Sequence, residues 1–491
     1  MKTETRTGCV SFQTAAGAVA LFAAPAFLNG KDPGHAAFLL NEGEQAWAVL
    51  ARGEVGGHWT DDNVTAVLND TAAYWRRWAR NIVYTGPRAG GVERCAMTVH
   101  LLSHAPTGSL VASPTSSLPE RFGGDRNYDY RFAWVRDASL SLAIMAVLGD
   151  RQAAKRYMDW IVNLGSSTDA PLQVLYRLSG ATDASESQRK DLAGYRGSRP
   201  VRFGNHAFQQ RQHDSLGYFV DCAAIYSEQG GEWREDYWHL IQRIADYVIR
   251  TWETPDSGIW ELGSEQHYVS SKVMSWVALD RAARIAERLG HVDRVSPWRA
   301  VMKTIHAEVM DRGWSQKLSA FRQRYEAETL DASVLLIPVM GFLPAHHPRV
   351  RNTVDRIAES LMRDGLVYRF DPQELPERAA FPLGKFEGAF LPCTLWLATA
   401  YAMAGRTREA EDLLQRVETT VGNLGLFPEE VAEETAMFLG NMPLVFAQVE
   451  YIRAVMELDK ARPFGKLRLM AGKLLHAFRR TVDAKAEPLP G

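Results

Sequence analysis

Two glutamates far apart in the chain offer the clearest chemistry: Glu261, which ends Asp256-Ser-Gly-Ile-Trp-Glu261, and Glu429, in Gly425-Leu-Phe-Pro-Glu-Glu430. Trp260 stands directly before Glu261. An apolar ring beside a carboxyl strips it of water and raises its pKa, so the group keeps a proton to give away near neutral pH. A second carboxylate facing it can attack carbon or take a proton from water. With Glu261 as general acid and Glu429 as general base, such a pair suits cleavage of an acetal, and a gap wide enough for one water favours inversion. Each residue also has a plainer role open to it. Glu429 and Glu430 lie near Glu433 and Glu434, as solvated charge would. Asp137 and Asp214 suit helix N-caps, and Arg136 beside Asp137 suits a structural ion pair.

What raises these residues above their plainer roles is where the helices must place them. From Asp61 onward the apolar spacing is helical, beginning with Val64 to Asn81. Twelve helices follow, in two alternating kinds. Those expected over 138–149, 214–229, 271–289, 330–341, 388–404 and 443–458 are apolar on most sides, as in Leu140-Ser-Leu-Ala-Ile-Met-Ala-Val-Leu148. Those over 92–104, 152–164, 233–251, 297–312, 349–363 and 407–420 are amphipathic, as in Arg406-Thr-Arg-Glu-Ala-Glu-Asp-Leu-Leu-Gln-Arg416. A thirteenth falls near 464–481. A helix apolar all round must be enclosed, whereas an amphipathic one can face water. Alternation of the two kinds predicts two concentric rings, an all-α (α/α)6 barrel. Its inner helices all run one way, so the loops before their N-termini gather at one mouth. Long connections, 165–213 and 421–442, lead into inner helices, and long loops are usually functional. Those mouth loops hold Tyr128 to Asp137, Gly204 to Asp214, Asp256 to Glu261, Arg322 to Glu328, Tyr368-Arg369 with Glu387 to Phe390, and Gly425 to Glu430.

Before Asp61 the pattern differs. Short apolar runs, such as Val19 to Phe22 and Ala46 to Leu50, are broken by Gly, Asn and Pro and read as strands. The expected organisation is therefore a short β-sandwich-like region over 1–60, a linker helix over 61–91 and the barrel over 92–485. The apolar stretch Ala15 to Phe27 follows Lys2 and Arg6 as a leader would. Gly17 and Pro25 interrupt it and strand-like text follows, so it reads as fold and the protein as cytoplasmic. No segment has the apolar length of a membrane span.

With 46% hydrophobic residues and a formal charge of −2, the composition is that of a globular protein without a basic arm, which excludes nucleic acid as a partner. Cys9, Cys95, Cys222 and Cys393 are scattered among apolar neighbours and read as reduced and buried. No metal or cofactor is expected, since the mouth loops hold no aspartate-rich run; this also disfavours an isoprenoid cyclase on a similar toroid. Oligomeric state, a homo-oligomer included, stays open. The 14 Trp fit either a large aromatic core or rings that stack on sugars.

From about Trp75 to Arg453 the chain resembles glycoside hydrolase family 15, which comprises glucoamylases, glucodextranases and bacterial trehalases. The resemblance is carried by Ala105-Pro-Thr-Gly-Ser-Leu-Val-Ala-Ser-Pro-Thr-Ser-Ser-Leu-Pro-Glu120, Gly124-Asp-Arg-Asn-Tyr-Asp-Tyr-Arg131, Trp134-Val-Arg-Asp137 and Ser257-Gly-Ile-Trp-Glu261. Ser271 to Arg281, Glu387-Gly-Ala-Phe390 and Leu439-Gly-Asn-Met-Pro443 add to it. It implies an (α/α)6 barrel behind a β-sandwich and inverting, exo-acting hydrolysis of an α-glucoside, trehalose or a short α-glucan. By motif position Glu261 resembles the family's acid and Glu429 its base. Tyr130, Trp134, Arg136 and Asp137 resemble the walls holding the terminal glucose, with Trp260, Arg369 and Glu430 as further contacts. The chain departs from the family in carrying Leu262-Gly263 after the acid, Pro443-Leu444 and Ala447-Gln448 in the last inner helix, and a short strand region. These departures leave a non-catalytic carbohydrate-binding or scaffold protein as the alternative.

Overall fold

The computed structural model describes residues 2–6, 9–14, 17–23, 39–52, 59–166, 169–372, 382–433 and 435–473. The chain divides into two compact units, Met1–Arg80 and Asn81–Gly491.

In the first unit, β1 (Lys2–Arg6), β2 (Cys9–Thr14), β3 (Gly17–Ala23) and β4 (Ala48–Arg52) form one antiparallel sheet in sequence order. The β3 register pairs Val10 with Leu21 on one side and Leu21 with Leu50 on the other. Ala20 and Phe22, two apart, are buried, as the two-residue period of a strand requires. A second, facing sheet is absent from the described residues, so what is seen is one sheet where a β-sandwich-like region was expected. Of the apolar stretch Ala15 to Phe27, Gly17–Ala23 is β3, and the rest lies outside the described residues. The helix α1 (Asp61–Ala79) starts on a capping box, in which Thr60 and Asn63 each accept from the other's backbone N–H.

The second unit is helical. Six helices close a ring through successive contacts: α3 (Val135–Val147), α5 (His213–Glu228), α7 (Val269–Leu289), α9 (Leu336–Val339), α11 (Leu391–Met403), α13 (Val445–Ala461) and back to α3. Around them lie α2 (Ala89–Leu101), α4 (Arg151–Ile161), α6 (Glu235–Thr251), α8 (Val295–Arg312), α10 (Pro348–Leu361) and α12 (Thr407–Val421). The burial follows the sequence. From Leu391 to Ala402 every α11 residue is buried, while α12 buries only the stripe Ala410, Leu413, Leu414, Val417 and Val421. Each fully buried Leu contributes about 1.5–3 kcal/mol, so the inner ring is both scaffold and core. In the Asp150 turn that joins α3 to α4, the carboxylate accepts from Ala153 N at 3.1 Å, capping the outer helix.

Two inner helices differ from expectation. The segment expected as one helix over 330–341 is a 3-10 turn, Ala332–Leu335, followed by α9, because Pro338 cannot continue the backbone ladder. The helix expected from 388 starts at Leu391, because Ala389 and Phe390 pair as a short strand with Val431 and Glu430. Beyond α13 the chain is helical from 465 to 473, where the described residues end, and the rest of the expected 464–481 helix lies outside them. Among the described residues no helix is long and apolar enough to cross a membrane. Cys95, Cys222 and Cys393 are buried, and Cys9 is half-buried.

Candidate active site

At the mouth, short strands fix the loops before they enter the inner helices. Ala133–Trp134 pairs with Leu175–Tyr176 at the start of α3, and Ala389–Phe390, Glu430–Val431 and Phe438–Leu439 form a small sheet at the start of α11. Together these loops line one pocket, open to solvent, with about 490 Å3 of empty space. Tyr130, Trp134, Arg136, Asp137, Trp260, Glu261, Arg369 and Glu429 all line it, joined by Phe390, Leu444 and Phe446. Eight of the nine residues singled out in the sequence thus converge on one pocket. Glu430 does not line it. Successive strand residues point to opposite faces, so with Glu429 facing the pocket Glu430 turns away, fully buried, and accepts from Gly388 N at 2.8 Å.

Glu429 is held from both sides. Its Oε1 accepts from the Tyr130 hydroxyl at 2.6 Å and its Oε2 from Asn441 N at 3.2 Å. Its own backbone N–H donates to Asn441 O and its carbonyl accepts from Leu391 N, each at 3.1 Å. Gly440 makes the approach possible: it has φ of 69°, and a Cβ there would stand 2.3 Å from Glu429 Oε2. Burial, then the neighbouring Glu120 carboxylate, push the Glu429 carboxyl up to about 8, against the Tyr130 hydrogen bond and the Arg369 charge.

Glu261 is positioned differently. It sits in the left-handed region at φ of 56°, a conformation that costs a residue with a Cβ about 1–2 kcal/mol. Its Oε1 accepts from Gln212 Nε2 at 2.9 Å and from Trp134 Nε1 at 3.1 Å, with Arg136 Nη1 at 3.8 Å. Burial raises its pKa, and the Arg136 charge is the largest opposing influence. The Trp134 and Tyr130 rings, which hold the two carboxylates, meet edge to face with centroids 5.4 Å apart. Trp260 is fixed by its indole N–H, which donates to the Asp331 carboxylate at 2.8 Å, and by an edge-to-face contact with Phe390.

Arg136 and Asp137 lie in the first turn of α3, beyond the N-cap residue Trp134, and Asp214 lies in the first turn of α5 after Gln212. Neither aspartate is an N-cap. Arg136 Nε donates to Asp137 Oδ1 at 2.8 Å, so the ion pair exists, and it faces the pocket.

Several functional neighbours were not singled out from the sequence. Gln212 is one. Behind Glu429 lie Glu120 and Glu387, braced by Arg126 and Arg369. Arg126 Nε meets Glu120 at 2.6 Å, and Arg369 forks onto both oxygens of Glu387 and reaches Glu120 at 3.3 Å. Glu120, Glu387 and Glu430 each present an oxygen within 4.8 Å of the others, a spacing that could hold a cation. The two guanidiniums already provide positive charge there. Glu120 and Glu387 end or begin motifs visible in the sequence, but their meeting with Arg369 spans 249 residues in the first case and cannot be read from spacing.

Residues 86–456 match the family described as glycosyl hydrolases family 15. The chain is 36% identical over 427 residues to a trehalase of Mycobacterium tuberculosis, covering 86% of this chain and 62% of that protein. It is 35% identical over 395 residues to a trehalase of Thermoplasma acidophilum, covering 80% of this chain and 67% of that one. It thus spans a little under two thirds of the mycobacterial relative's length. Among solved structures, a bacterial glucoamylase complexed with acarbose matches with a TM-score of 0.68 over 90% of this chain and 72% of that chain, at 14% identity, a likeness of fold. With a double ring of helices, two carboxylates in one mouth pocket and a family match over residues 86–456, the chain belongs to glycosyl hydrolases family 15.

Proposed function

We propose that the protein hydrolyses the α-glucosidic bond of trehalose, one terminal glucosyl unit at a time, with inversion at the attacked carbon. The observation that carries this reading is the pocket itself: Glu261 and Glu429 line one cavity, held by adjoining aromatic rings. The relatives named trehalase support the choice of substrate. Glu261 gives its proton to the glycosidic oxygen as the bond from that oxygen to carbon breaks. Glu429 takes a proton from the water that attacks the same carbon from the other side. Arg136, Asp137 and Arg369 offer charged hydrogen bonds to sugar hydroxyls, and Trp134, Trp260 and Tyr130 give the ring apolar faces. The substitutions Leu262 and Leu444 leave both carboxylates on the pocket wall, which weighs against a non-catalytic binding protein.

Hydrolysis of trehalose, maltose, isomaltose and starch, with the first-formed anomer followed by NMR, tests this. Inversion of trehalose yields equal α- and β-glucose at early times, and trehalose is the fastest substrate. Release of α-glucose alone would exclude inversion, and no glucose from any of the four would exclude the hydrolase.

A further inference from the structure

The helix over 465–473 is amphipathic in the wrong sense. Its small and charged residues face inward: Gly465 and Gly472 are buried, a Cβ at Gly472 would stand 2.5 Å from Val83 O, and Arg468 pairs with Asp459 of α13. Its apolar residues face out. Leu467 and Met470 are 68% and 65% exposed, and Phe464, in the turn before them, is 78% exposed. A surface helix ordinarily buries its apolar side. The backbone approach at Gly472 and the Arg468 ion pair keep this one from rolling over, so the stripe is presented to something outside the chain. In the sequence the same spacing continues beyond the described residues, to Leu474 and Phe478.

This helix lies at the end of the barrel opposite the mouth, where the inner helices finish. Lys473 Nζ donates to Gln229 Oε1, at the close of α5, at 3.2 Å. The Val83 backbone beside Gly472 donates its N–H to Leu148 O, at the close of α3, at 2.9 Å. Val292, in the turn from α7 to α8, and Met403, the last residue of α11, are exposed at the same end. Anything bound there leaves the pocket of Glu261 and Glu429 open.

Charge selects the occupant. Between Asp459 and Asp483 the sequence carries seven Lys or Arg, interleaved with apolar residues, and no Asp or Glu. Lys460, Arg462 and Arg468 are neutralised by Glu457, Glu411 and Asp459. Lys466 and Lys473 have no acidic partner among the described residues, and Arg479 and Arg480 follow in the sequence. A second copy would bring the same cations face to face, since a two-fold contact pairs a patch with itself. Nucleic acid offers phosphates but no apolar layer for Leu467 and Met470. A bilayer rich in acidic headgroups offers both. We infer that this face docks the protein on an anionic lipid surface, with Phe464, Leu467 and Met470 entering the headgroup layer and Lys466 and Lys473 meeting the acidic headgroups. The inference is independent of the hydrolase reading.

Sedimentation of the full chain with lipid vesicles tests this. Vesicles of phosphatidylcholine containing about one third phosphatidylglycerol pellet the wild type, and added salt releases it by screening the headgroups. The double variant Leu467→Ser, Met470→Ser, with an unchanged melting curve by circular dichroism, partitions into these vesicles about tenfold more weakly. Equal partition of variant and wild type, or no binding of the wild type, overturns the inference. Equal binding to vesicles of phosphatidylcholine alone overturns an anionic surface as the occupant. If vesicles pellet neither protein and light scattering finds a wild-type dimer that the double variant lacks, the face joins two copies of the chain and the lipid reading falls.

Discussion

Glu429 stands on backbone hydrogen-bonded on both sides, among buried charges, whereas Glu261 sits at a left-handed turn with Arg136 as a nearby counter-charge. Around Glu429, four buried carboxylates (Glu120, Glu387, Glu429 and Glu430) share two guanidiniums, those of Arg126 and Arg369. Burial, then the nearby Glu120 charge, raises the Glu429 carboxyl to about 8. Around Glu261 the rise comes from desolvation and is restrained by Arg136. Burial raises both carboxyls; at Glu429 the neighbouring Glu120 charge adds to the rise, and at Glu261 the Arg136 charge opposes it. The charged wall depends on its arginines for stability, and the Glu261 wall depends on its loop for geometry.

The largest effect separating the walls is on chemistry. Glu261→Gln lowers kcat by roughly 10²–10⁴ or more with folding intact, because a proton-transfer group contributes that much. Wild-type turnover in this variant would remove Glu261 from the acid role. Next comes stability. Arg369→Ala leaves buried carboxylates without their counter-charge, which costs about 3–5 kcal/mol, read as a lower urea midpoint. An unchanged midpoint would mean that the corner is not held by charge. A smaller effect follows the titration of Glu429. Its folded-state value lies above the ordinary 4.5, so the stability from its neutral form is present below that value and lost as pH rises through about 8. Gln copies the neutral carboxyl, so Glu429→Gln gains Tm over wild type between pH 5 and pH 9. A constant Tm difference across that range would place the retained proton elsewhere.

The sequence foretold the two walls unequally. The double ring was legible because the inner helices are apolar all round, as in Leu395 to Met403, and the outer ones carry a single apolar stripe. The helix starts were less so. The pairing of Phe390 with Glu430 and the break at Pro338 depend on partners distant in the chain or on one residue inside an apolar run. Glu261 and its pocket neighbours could be found because they sit at the ends of loops that the helical order brings together. Glu430 was grouped with the pocket because one-residue alternation was invisible before the short strand was known. The arginine brace escaped for the same reason, since Arg126, Glu120, Glu387 and Arg369 meet only in the folded chain.

The finest test asks which limb of the pH profile belongs to which wall. With both carboxyls raised, a bell-shaped profile alone does not say which group titrates on which side. The aromatic pair separates them. The Trp134 N–H lowers the pKa of Glu261, and the Tyr130 hydroxyl lowers that of Glu429. Phe at either position removes that hydrogen bond and raises the pKa of its own carboxyl. An acid loses activity on losing its proton, so Trp134→Phe moves the alkaline limb of kcat/KM to higher pH. A base gains activity on losing its proton, so Tyr130→Phe moves the acidic limb to higher pH. If the limbs exchange between the two variants, Glu429 titrates above Glu261 and activity comes from the minor form in which the acid keeps its proton and the base has lost its own. If both variants move the same limb, the carboxyls titrate as one unit and the contrast between the walls is lost.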